Sequence, residues 1–106
     1  MSSLSTHVLD AVRGMPAAGI SVTLFEASGA ESATGVTDAD GRIAALAGEL
    51  PAGTYRLSFG TGDYFAAQAV ETFYPEVTIA FTVTGERHYH VPLLLSPFAF
   101  STYRGS

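Results

Sequence analysis

Short runs of apolar and polar residues alternating with period two, each cut off by turn-forming residues, constrain this chain most. Ile20, Val22 and Leu24 form one such run. Tyr55, Leu57 and Phe59 form another, and Val77, Ile79, Phe81 and Val83 form the cleanest. Successive side chains on a strand point to opposite faces, so each run describes a strand with one buried face. Turn signals separate the runs: Arg13-Gly14, Asp38-Ala39-Asp40-Gly41, Pro51-Ala52-Gly53, Gly60-Thr61-Gly62 and Thr84-Gly85-Glu86. This spacing predicts an all-β fold, a two-sheet β-sandwich of about eight strands with short connections. One stretch departs from the pattern. Asp63–Gln68 (DYFAAQ) carries good helix formers, with Asp63 suited to an N-terminus, and predicts a single short helix. No internal repeat, linker or low-complexity tract interrupts the chain, so residues 1–106 read as one domain.

Composition narrows the functional classes. Hydrophobic residues make up 47% of the chain and charged residues 14%, which leaves apolar surface for an oligomer to cover. The net charge is −5 and lysine is absent, so no basic patch exists to bind nucleic acid. Cysteine is absent too, which excludes disulfides, thiolate metal sites and a cysteine nucleophile. The opening MSSLSTHVLD has no basic stretch followed by an apolar one, and no run is long enough to span a bilayer. With no peroxisomal C-terminal tripeptide either, the expectation is a cytoplasmic protein without membrane association.

The C-terminal strands carry the groups capable of chemistry. In Arg87–Leu95 (RHYHVPLLL), Tyr89, Val91, Leu93 and Leu95 form one set, read as core. His88, His90, Pro92 and Leu94 form the other. Pro92 lacks an N–H, so the strand must be an edge, bulged, or locally unpaired there. Ser96-Pro97 turns the chain, and Phe98–Tyr103 gives a last strand in which Ala99, Ser101 and Tyr103 share a face.

Taken singly, these features have ordinary explanations. His7 reads as an exposed strand histidine. His88 and His90 face the same way, a geometry that two metal ligands can use, but no cysteine or nearby acidic residue supplies a third ligand. Asp38, Asp40 and Gly41 match part of a calcium loop whose other positions are missing, so they read as a turn. No serine sits in a G-x-S-x-G sequence, and a Ser-His-Asp arrangement has no support.

Taken together, they carry a resemblance. Ser5-Thr6-His7-Val8-Leu9-Asp10, the Asp40-Gly41-Arg42 turn, His88 through Pro97 (HYHVPLLLSP) and the terminal Tyr103-Arg104-Gly105-Ser106 resemble the signatures of the 5-hydroxyisourate hydrolases of the transthyretin-like family. The similarity runs from Leu4 to Ser106 and includes Tyr64-Phe65 and Phe73-Tyr74-Pro75. Transthyretin, the hormone carrier, resembles these enzymes in fold but lacks the histidines and the tail. One departure is Phe98-Ala99-Phe100-Ser101, where many relatives show a glycine and a tyrosine. Phe100 has the parity opposite to Tyr103, so the change leaves the proposed face intact.

The resemblance implies a transthyretin-like sandwich that opens the lactam ring of 5-hydroxyisourate, giving 2-oxo-4-hydroxy-4-carboxy-5-ureidoimidazoline in urate degradation, without cofactor or metal. By motif, His7, Arg42 and His90 are its catalytic set, and the tail residues Tyr103, Arg104, Gly105 and Ser106, with Ser101, border the substrate. Imidazoles exchange protons near neutral pH, and a guanidinium orients oxygen-rich ligands and stabilises negative charge. His88 is read as supporting or solvent-facing, and Arg104 as holding the tail or binding substrate. The resemblance also implies a homotetramer, a dimer of dimers around a channel. The competing readings are a small-ligand carrier without catalysis and a purely structural sandwich module.

Overall fold

A computed structural model describes residues 2–106. Nine strands and one helix follow one another: β1 (Ser2–Asp10), β2 (Met15–Pro16), β3 (Ser21–Glu26), β4 (Glu31–Val36), β5 (Arg42–Leu50), β6 (Gly53–Phe59), α1 (Thr61–Ala66), β7 (Val77–Val83), β8 (His88–Ser96) and β9 (Ala99–Thr102). One sheet has the order β4-β3-β6-β7. In the other, β1 lies between β8 on one side and β5 and β2 on the other, and β9 lies beyond β8. The predicted all-β sandwich is present, with the two-residue β2 as an addition to the expected count.

The alternation maps onto the core as the sequence predicts. Val22, Leu24, Leu57 and Phe59 are fully buried from one sheet; Leu4, Val8, Leu93 and Leu95 meet them from the other. Each such side chain contributes roughly 1.5–3 kcal/mol by leaving water. In β7 only the ends, Val77 and Val83, are fully covered. Ile79 and Phe81 are half-buried because β7 is an edge strand and they line a cavity of about 380 Å3 that Tyr103 and Arg104 also border.

The helix begins and ends two residues earlier than Asp63–Gln68. Tertiary contacts fix its start: the buried Thr61 hydroxyl donates to the Tyr74 carbonyl, and the Gly62 N–H donates to the Pro75 carbonyl. Asp63 therefore falls in the first turn and makes no side-chain cap. The chain leaves α1 through a Schellman arrangement, with the Ala69 N–H donating to Ala66 and the Val70 N–H to Phe65. Ala69 takes φ 56°, in the left-handed region that favours glycine.

The strand carrying Pro92 is not an edge. β8 runs parallel to β1 from Ser3↔His88 to Asp10↔Leu95 and antiparallel to β9 from Leu93↔Thr102 to Ser96↔Ala99. The pairing with β9 stops at Leu93 and resumes only as a single bridge, His90↔Gly105, in the same register. Pro92 thus occupies a local gap in the ladder, and its carbonyl accepts the Thr102 hydroxyl. Of the three options open to a proline here, local unpairing is the one taken.

Replacing Ala69 with glycine should relieve the left-handed strain and raise unfolding stability by about 0.5–1 kcal/mol, measured by urea denaturation. An unchanged or lowered midpoint would contradict this reading of the helix terminus.

Candidate functional site

The site is assembled by β1 acting as a shared neighbour. His7 on β1 is paired with Arg42 on β5 and with Pro92 on β8, and Ser5 is paired with His90. Paired residues project from the same face of a sheet, so Ser5, His7, Arg42, His88 and His90 all stand on the outer face. The inward residues Leu4, Val8, Val91 and Leu93 fix that choice by filling the core.

Arg42 is delivered by a self-contained turn. The Asp38 carboxylate accepts the N–H groups of Asp40 and Arg42 at 2.9 and 3.0 Å. Gly41 has φ 74°, and a Cβ there would lie 2.4 Å from the Val8 carbonyl oxygen, so only glycine fits. The Asp38 carboxylate is thereby committed to turn geometry, as the sequence predicts. The same turn holds His7, whose Nε2 donates to the Asp40 carbonyl at 3.0 Å.

Ser5, Thr6, Arg42, Ala44, His88, His90 and Ser106 line an open pocket of about 240 Å3. Two predicted catalytic residues, Arg42 and His90, and the predicted tail residue Ser106 therefore meet. His7 stands beside them on the sheet but turns to the Asp40 carbonyl and is not part of the pocket lining. Gly105 pairs with His90 and backs directly on its ring: a Cβ at this position would lie 2.5 Å from His90 Cδ2.

Three predicted substrate contacts lie elsewhere in the single chain. Tyr103 and Arg104 border the cavity beside β7, and the Arg104 guanidinium sits 4.9 Å from the centre of the Tyr89 ring. That cation–π contact pins the tail, the first of the two roles considered for Arg104. The alternation that grouped Tyr103 with Ser101 lapses because β9 ends at Thr102. Ser101 is exposed opposite Leu94, outside the pocket. Phe100 packs edge-on against Tyr74, with ring centres 5.1 Å apart, away from the pocket as its parity predicts.

Sequence reasoning left two participants without a role. The Ser5 hydroxyl contacts His90 Nδ1 at 2.7 Å and His88 Nε2 at 2.9 Å, and Ser3 contacts His88 Nδ1. Serines at alternate positions before His7 were the available signal, but their partners lie on a strand 85 positions away.

Burial depresses the His90 pKa below the usual imidazole value, and the positive charge of Arg42 adds to the effect, with smaller coulombic contributions from His7 and His88. His90 is therefore neutral at neutral pH and available as a proton acceptor. Among the described residues no three histidine, cysteine or carboxylate side chains are grouped to hold a metal, and no helix is long and apolar enough to cross a membrane.

The model of the HIUase/Transthyretin family matches residues 4–105. The chain belongs to this family. It is 47% identical to the 5-hydroxyisourate hydrolase of Salmonella dublin, with 97% of this chain and 80% of that protein aligned. Among solved structures, Klebsiella pneumoniae 5-hydroxyisourate hydrolase superposes with a TM-score of 0.93 at 44% identity, covering 100% of this chain and 94% of the other. Sea bream transthyretin in complex with thyroxine reaches 0.91 at 39% identity, covering 97% and 94%. The two structures fit almost equally well, so the fold shared across the family does not by itself separate hydrolase from carrier.

The depressed basicity of His90 is directly measurable. Its NMR titration midpoint should lie below the ordinary 6.5. Arg42→Gln removes a cation that opposes protonation, so the midpoint should move up, though burial keeps it from a full return. No movement, or a downward one, would show that Arg42 does not act on this imidazole.

Proposed function

We propose that this chain hydrolyses 5-hydroxyisourate at the pocket lined by Arg42, His90 and Ser106. One observation carries the reading. Arg42, His90 of lowered basicity and Ser106, from three separate parts of the sequence, line a single pocket. The family relatives whose names state this activity support it.

The reaction adds water across a ring amide: hydroxide bonds to the carbonyl carbon, the carbon–nitrogen bond breaks, and the nitrogen takes up a proton. His90 accepts the proton from the attacking water through its free ring nitrogen. Arg42 holds the substrate oxygens and stabilises the negative charge that develops on the carbonyl oxygen. His7, beside Arg42, holds or returns a proton, and Ser106 positions the ring from the tail. In this reading Gly105 is required because the terminal residue can approach only where nothing crowds His90.

The reading includes a homotetramer, a dimer of dimers. Both sheets end in open edges, β7 and β9, and exposed Phe73, Phe98, Phe100 and Tyr103 lie on or near the β9 side. Unpaired backbone and apolar surface at such an edge favour association with a second copy. A partner at this edge would bring Tyr103 and Ser101 into a shared channel.

Trace protein added to 5-hydroxyisourate generated in situ should accelerate its loss of ultraviolet absorbance in proportion to enzyme, with no effect of a metal chelator. His90→Asn should lower turnover by roughly 100-fold or more while light scattering still reports a tetramer. Decay no faster than the blank would favour a carrier related to the thyroxine-bound sea bream protein. A fully active monomer would refute the shared channel.

A further inference from the structure

We propose that Ser5 and His88 are positioning residues for His90: with Ser3 they form a directed hydrogen-bond chain that keeps a proton on His90 Nδ1 and leaves Nε2 as the open acceptor. The inference rests on the hydrolase reading and adds to it the tautomer and the residues that set it.

The chain of contacts is continuous. Ser5 Oγ bridges His90 Nδ1 at 2.7 Å and His88 Nε2 at 2.9 Å. His88 Nδ1 contacts Ser3 Oγ, and that hydroxyl reaches the Arg87 carbonyl at 3.4 Å. Each hydroxyl carries one hydrogen and each neutral imidazole carries one N–H. Three linked contacts among two hydroxyls and two neutral rings can therefore run in three consistent ways, because Ser5 Oγ has two lone pairs and can also accept from both rings.

The carbonyl at the end selects one. A carbonyl only accepts, so the Ser3 hydroxyl donates to Arg87, and Ser3 Oγ must accept from His88 Nδ1–H. His88 Nε2 is then a bare acceptor and takes the Ser5 hydrogen. Ser5 Oγ in turn accepts from His90 Nδ1–H. Either other way would leave the carbonyl contact without a hydrogen, and the full reverse would also place a hydrogen on His90 Nε2.

The surroundings of His90 agree with this direction. Nδ1 is engaged by Ser5, the Cδ2 edge rests on Gly105, and Nε2 has no partner within the described residues. No buried side-chain nitrogen or oxygen lacks a partner among those residues, so Nε2 is open to the pocket. Arg42 lines the same pocket, and its cation favours a lone pair over an N–H there. Ser5 is itself 9% exposed, so water competes poorly for its hydroxyl. The parallel register Ser5↔His90 and Ser3↔His88 places both serines beside their histidines. A base held in the wrong tautomer presents a hydrogen where it must present a lone pair, which is how orienting groups govern catalytic histidines elsewhere.

The test combines a spectroscopic readout with kinetics on the full-length protein. In 15N-histidine-labelled wild type, two-bond proton–nitrogen correlations should show His90 as the Nδ1–H tautomer. Ser5→Ala should yield a mixture of tautomers and lower kcat roughly tenfold or more with KM nearly unchanged. Ser5→Thr restores a hydroxyl and should recover both readouts. His88→Leu should behave like Ser5→Ala, whereas His88→Gln, whose amide oxygen can accept from Ser5, should restore the Nδ1–H tautomer that His88→Leu loses. An Nε2–H tautomer in the wild type overturns the proposal, as does Ser5→Ala with unchanged tautomer and kcat. If the wild-type protein does not accelerate 5-hydroxyisourate decay, the hydrolase reading falls, and the tautomer spectrum still decides the hydrogen-bond chain.

Discussion

In the parallel ladder between β1 and β8, residues 85 positions apart become neighbours: Ser5 lies beside His90 and Thr6 beside Val91. This ladder holds the second sheet together and sets the geometry of the pocket. Leu4 and Val8 on one strand and Val91 and Leu93 on the other bury their side chains inward. A slip of one residue would expose that apolar set and bury serines and histidines in its place. The register of the site is therefore enforced by the hydrophobic core behind it. The buried Thr6 hydroxyl, donating to the Val91 carbonyl at 2.7 Å, locks the two strands further.

The C-terminal return depends on what the ladder leaves open. Pro92 removes a donor on the side facing the tail, so the antiparallel pairing of β8 with β9 breaks before resuming at Gly105. Arg104 anchors the crossing by stacking on Tyr89, whose hydroxyl accepts from the backbone N–H groups of Thr84, Gly85 and Glu86. The Thr84 hydroxyl and backbone, together with those N–H groups, hold the Tyr89 phenol at a pKa of about 8, below its ordinary value. The tail is thus held at Arg104 and at Gly105, whose N–H donates to the His90 carbonyl, and Ser106 is carried to the pocket.

Arg42 is the fixed cation of the pocket beside His90, while the neighbouring Asp38 carboxylate is spent on the backbone of its own turn and Asp40 offers His7 only its carbonyl. A carboxylate paired with His90 would raise its basicity and favour the imidazolium. No Asp or Glu side chain lines the pocket among the described residues, so nothing of that kind offsets the burial and the Arg42 charge that lower the basicity of His90.

Much of this was legible in the sequence. The alternation of Val22, Leu24, Leu57 and Phe59, the inward set of β8, the glycine turn before Arg42 and the presence of a short helix all follow from local backbone geometry, in which side-chain direction repeats every two residues on a strand. The family motifs marked His7, Arg42 and His90 with the Tyr103–Ser106 tail and Ser101 as one set, and of these Arg42, His90 and Ser106 line the pocket. Local pattern does not encode which distant strand lies alongside. Only the tertiary structure decided that β1 pairs in parallel with β8, that Pro92 sits in a gap within an internal strand, that Thr61 and Tyr74 set the start of the helix, and that Tyr103 and Arg104 turn to the opposite cavity. The roles of Ser5 and His88 belong to that second group. They arise from a register fixed by core packing over long sequence separations, which no short run of residues specifies.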